Sequence, residues 1–136
     1  MYVKTILFAL LAATCITGCK KENFTNQARA LIQTGAWKVA LFKEDSNDET
    51  HHFTGYAFHF LEEGTVIATK GNHTLNGTWG TGNDDSSNKF ELFFEETPFD
   101  ELNEDWKITS VTSSLIKLEH ISGGNGGTDI LHFEKM

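Results

Sequence analysis

The sequence predicts an all-β protein: an eight-stranded antiparallel up-and-down barrel with a short N-terminal helix. Three observations lead there. The chain carries 11 Phe, 3 Trp and 12 Gly but a single Pro, a balance that favours sheets and turns. From residue 36 onward, short segments alternate apolar and polar side chains with the period of two that a half-buried strand requires. Eight such segments follow one another over mostly short connections. Eight is the number at which an antiparallel meander closes into a small barrel and removes its exposed edges.

The elements follow in order. Within 23–34, Thr25 can cap a helix whose Ala28, Leu31 and Ile32 form a small apolar face, and Gly35 ends it. So short a helix must pack on the barrel to persist. The first strand, 36–44, sets Trp37, Val39 and Leu41 on one face against Lys38, Ala40 and Phe42. A polar loop covers 45–52. The second strand, 54–61, points Tyr56, Phe58 and Phe60 one way, and Gly64 closes the turn after it. Strand three is 65–70, rich in β-branched residues. After a turn at Gly71-Asn72, strand four (73–80) aligns Leu75, Gly77 and Trp79. Turn formers fill 81–88. Strand five (89–95) aligns Phe90, Leu92 and Phe94, and a longer loop, 96–104, holds Pro98, Phe99 and Leu102. Strand six (105–111) alternates Trp106, Ile108 and Ser110. Strand seven (114–121) presents Ile116 and Leu118, and a glycine-rich loop leads to strand eight, 129–135.

Ahead of the barrel lies an address. Lys4 and the apolar run 6–13 form a signal-peptide core too short to span a bilayer. Ile16-Thr17-Gly18-Cys19 then resembles a bacterial lipobox. The resemblance implies cleavage after residue 18 and acylation (palmitate among the chains) of Cys19, an acylated tether over 19–24 and a barrel domain over 25–136. Several acyl chains on one residue give stable anchoring to the lipid bilayer. With Lys20 rather than Asp after the Cys, the expected address is the outer membrane of the cell envelope. Removal of Cys15 and acylation of Cys19 leave no thiol pair for a disulfide.

The formal net charge is −8, and processing removes Lys4 and no acid. So acidic a surface repels phosphate backbones, so no nucleic acid is expected as partner. The same charge suits a soluble monomer.

The short helix, Gly35-x-Trp37, Gly77-Thr78-Trp79 and Trp106-Lys107-Ile108 together resemble the lipocalin-like lipoproteins of Bacteroidetes-type bacteria. The likeness runs over nearly the whole chain past the leader. It implies that Trp37 plugs the closed end of the barrel against the helix. No Arg stands on the last strands to cover that Trp, which leaves Arg29 as the candidate substitute.

Chemistry-bearing residues do not assemble into a catalytic pattern in the sequence. Adjacent acids such as Asp84-Asp85, Glu95-Glu96 and Asp100-Glu101 fall in or beside loops, whereas a glycosidase pair faces across a cleft. No Ser-His-Asp order stands on a nucleophile elbow. His51 and His52 lie beside Asp48 and Glu49 without the spacing of a zinc site. No metal, cofactor or enzyme activity is expected. A membrane-anchored binding protein is, with a small apolar ligand held at the end away from Trp37 by Tyr56, Phe58, Phe60, Leu75, Phe90, Phe94 and Trp106. The same stripe would also fill a dry core. In that case the loops, notably 96–104, would contact another envelope protein or a glycan.

Overall fold

The computed structural model describes residues 23–84, 87–124 and 126–136; the leader and Cys19 lie outside them. A helix, α1 (Phe24–Ile32), precedes β1 (Trp37–Glu44), a two-residue β2 (Asn47–Asp48), β3 (Ala57–Phe60), β4 (Thr65–Lys70), β5 (His73–Asp84), β6 (Ser87–Phe93), β7 (Asp105–Val111), β8 (Leu115–Ile121) and β9 (Thr128–Lys135). Two 3-10 turns, Thr50–Phe53 and Phe99–Leu102, interrupt the loops. All neighbours pair antiparallel, and β1 pairs β9, so eight strands close into a barrel with β2 as a stub folded back on β1. The expected all-β, eight-stranded up-and-down barrel with its N-terminal helix is the observed fold.

The ladder is uneven. β1 meets β9 over six residue pairs but β3 at one, Trp37 opposite Phe58. β6 and β7 pair only from Lys89–Glu91 to Asp105–Lys107.

Departures from the expected elements have local causes. The helix is capped by Asn23, whose side chain accepts from Asn26 N (3.2 Å), not by Thr25. Thr25 is buried instead, its hydroxyl between the side-chain amides of Asn83 (2.6 Å) and Asn88 (2.8 Å). Those contacts tie α1 to the β5–β6 hairpin, and the polar run expected as a loop there extends both strands. In β1 the register shifts between Val39 and Leu41, so Phe42 turns inward and Leu41 does not. A second shift between Ile108 and Ser110 carries β7 past its expected alternation, and Val111 packs on the core where Ser110 was expected to point. A bulge inserts one residue and so reverses the phase beyond it.

One core runs through the barrel. It runs from Ala28 and Ile32 of the helix through Trp37, Phe58, Phe60, Trp79, Phe90, Ile116, Leu118 and Phe133 to Phe53, Phe99 and Leu102 of the two 3-10 turns.

Candidate functional site

The seven residues expected to line a pocket lie on the strands or, for Tyr56 and Phe94, one residue beyond a strand end. Phe58, Phe60, Leu75, Phe90, Phe94 and Trp106 are buried, and Tyr56 is half-buried at the rim. The phenylalanines among them meet other rings directly. Phe58 sits 6.3 Å from Phe94 and 5.5 Å from Phe133, and Phe60 lies 5.9 Å from Phe90 and 5.4 Å from Phe133, ring centre to ring centre. Most of these pairs are edge-to-face, the arrangement aromatic quadrupoles prefer.

Both barrel ends carry plugs. At the Trp37 end lies α1, with Ala28 and Ile32 buried against the strands. Lys135, not Arg29, covers Trp37, its Nζ 5.9 Å from the ring centre; Arg29 lies 5.2 Å over Trp79 instead. At the far end, Phe99 drops between Tyr56, Phe53 and Phe94, with ring centres 4.8, 5.3 and 5.3 Å away. Trp106 Nε1 donates to Leu102 O (3.0 Å) beneath it. Neither Phe53 nor Phe99 was expected among the site residues. Their signal was an aromatic outside the alternating strand segments: Phe53 just past the polar loop 45–52, and Phe99 beside Leu102 in the loop 96–104.

The two breaks in the ladder are closed by side chains. Where β6 leaves β7, Asn103 accepts from Phe94 N (2.6 Å) and donates to Phe94 O (2.7 Å), standing in for a neighbouring strand. Where β1 leaves β3, Thr50 Oγ1 accepts from Phe42 N (2.8 Å) and donates to Phe42 O (3.3 Å). In both places one polar residue bonds both backbone groups of an inward-facing Phe, and Phe42 O also accepts from Glu49 N (2.9 Å).

Outside the barrel, the parting of β6 and β7 opens a groove of about 440 Å³ lined by Thr78, Glu91, Phe93, Asn103, Glu104 and Asp105. Phe93 is 52% exposed at its wall. A smaller hollow of about 230 Å³ adjoins it through Asp105 and is bounded by exposed Ile121. Among the described residues no helix is long and apolar enough to cross a membrane.

No protein-family model and no curated protein matches the sequence. Among solved structures, the chain is similar to a DUF4847 family protein from Bacteroides vulgatus ATCC 8482. The match has 18% identity and a TM-score of 0.51, and it covers 80% of this chain and 97% of that one. At that identity the likeness speaks for the barrel fold.

Proposed function

We propose that this protein is a non-enzymatic, lipid-anchored envelope module that works through the outer surface of a filled barrel. One observation carries the reading: the stripe that a carrier would use as walls is packed ring against ring, with Phe53, Phe99 and Leu102 over the end expected to admit a ligand. A barrel of this fold is compatible with ligand binding, but here side chains take the place of a guest. The contact face is the β6–β7 groove. Its occupant is an apolar side chain flanked by bases on another envelope protein, matching Phe93 between Glu91, Glu104 and Asp105. Acylated Cys19 would hold that face at the membrane, where a tether replaces free diffusion.

Native mass spectrometry of the purified chain, with titration of an apolar fluorescent probe, tests the filled barrel. The expected result is no copurifying molecule and no probe binding. A stoichiometric apolar molecule, or probe binding altered by Phe94→Ala, would restore the small-ligand carrier.

A further inference from the structure

The 3-10 turn Thr50–Phe53 does more than plug the barrel. Successive third residues eclipse in such a turn, which places Glu49 and His52 on one side with His51 beside them. His52 Nε2 lies 3.5 Å from Glu49 Oε2, and His51 Nδ1 lies 3.9 Å from the same oxygen. The three donor atoms all fall within 4.8 Å of one another. Tetrahedral zinc with metal–ligand distances of about 2.0–2.1 Å separates its ligands by about 3.3 Å. The two printed separations exceed that spacing by about 0.2 and 0.6 Å, within reach of side-chain rotation about an ion.

A fourth residue prepares the set. His52 Nδ1–H donates to Glu101 Oε2 at 2.8 Å. An ionised carboxylate only accepts, so this bond puts a proton on Nδ1 and makes Nε2, which faces Glu49, the nitrogen available to a metal. A carboxylate behind a ligating imidazole is the arrangement that orients it and raises its basicity at metal sites.

The backbone beneath is fixed. Glu49 N donates to Phe42 O (2.9 Å), Thr50 holds Phe42, and Phe53 is buried in the core. The surroundings favour a cation. Glu44 has its carboxyl pushed up by partial desolvation and then by Glu101, Asp129, Glu49 and Asp45, so acids crowd this rim.

We infer that Glu49, His51 and His52 form a binding site for a divalent first-row metal of the zinc class, with Glu101 as the positioning residue that orients His52. Two imidazoles and one carboxylate suit such an ion better than Ca²⁺ or Mg²⁺, which take oxygen ligands. His51, whose side chain is 71% exposed, faces solvent and leaves the fourth position to water. Because Glu101 belongs to the 3-10 turn Phe99–Leu102 and His52 to Thr50–Phe53, a bound ion braces the two turns together. The site does not depend on the outer groove.

A second cluster, Glu104, His120 and Asp129, serves as the internal control. One of its oxygens is already taken, Asp129 Oδ1 accepting from Asp45 N at 2.9 Å, while His120 Nδ1 lies 2.9 Å from Glu104 Oε2.

Calorimetric titration of the purified full chain with Zn²⁺, paired with thermal melts with and without the ion, tests the site. Wild type is expected to bind one ion per chain and to melt higher with it. His52→Ala and Glu49→Gln should each weaken binding by 100-fold or more, and Glu101→Gln by about 10–100-fold, while His120→Ala changes nothing. Metal-free melts identify any variant that fails to fold; the solvent-facing His51→Ala then carries the ligand test. No binding by wild type, or binding that survives loss of both His51 and His52, overturns the site. Unchanged affinity in Glu101→Gln overturns the positioning role, and loss on His120→Ala instead moves the ion to the control cluster and overturns the assignment.

Discussion

Single side chains decide whether this barrel closes. Asn103 is the clearest case, because its amide answers both backbone groups of Phe94. Asn103→Ala leaves both without that partner and should cost about 1–3 kcal/mol. Asn103→Asp keeps the acceptor for Phe94 N but turns a charge towards Phe94 O, so it should rescue part of the loss at most. Chemical denaturation of the two variants checks the order, and equal stability of Asn103→Ala and wild type would show the bonds to be dispensable. Trp37 is the larger commitment. It is fully buried, with Nε1 unpartnered among the described residues and Lys135 over its ring. Trp37→Ala should cost roughly 3–5 kcal/mol, a large share of the ~5–15 kcal/mol that holds a domain of this kind. A melting temperature within a degree or two of wild type would contradict that burial. At this scale the sequence was half legible. The inward phase of Phe58, Phe60, Phe90 and Phe94 could be read from alternation. The partnership of Asn103 with Phe94 could not, since it depends on where β6 leaves β7.

Among the strands, the departures trace to bulges and to neighbours. Phe42 and Leu41 exchanged faces because the insertion near Ala40 shifts phase, and no residue type announces a bulge in β1. The polar run 81–88 looked like a turn because its residues favour turns in isolation. Thr25 and the paired strands supply enough hydrogen bonds to keep residues 81–84 and 87–88 extended. Gly77 shows the opposite, a strand residue whose smallness the packing demands. A Cβ there would meet Phe93 O and lie 2.7 Å from Phe94 Cδ1, so Gly77→Ala must push β6 away from β5. A loss of about 1–3 kcal/mol is expected, as for overpacked sites, and thermal melting measures it. On β9, burial and then Lys117 lower the pKa of His132. Just below the ordinary value of about 6.5 the unfolded chain therefore binds more protons than the folded one, and stability falls as pH drops through that window. Melting curves of wild type and His132→Gln between pH 7 and 5 should diverge, with the shallower slope in the variant. Parallel slopes would remove His132 as a cause.

For the whole molecule, the barrel class was the most legible feature, because alternation and strand count are properties of the chain alone. What the interior holds was less so: an aromatic stripe reads the same for a filled core and an apolar pocket, and only the two plugs distinguish them. The proposed attachment to the membrane rests on Cys19. Cys19→Ala should abolish acylation and move the protein from the membrane fraction to the soluble one. Salt-resistant pelleting of the variant would defeat the lipobox reading.

The single pair of residues joining β1 to β3 makes the barrel a ring with a clasp. Opening it breaks little of the ladder and leaves β1 riding on β9, so the sheet can breathe there while the rest stays intact. Amide hydrogen exchange should follow that hierarchy. The NH groups along the β3 margin would trade with solvent through small local openings, and those of β8 and β9 only when the whole chain unfolds.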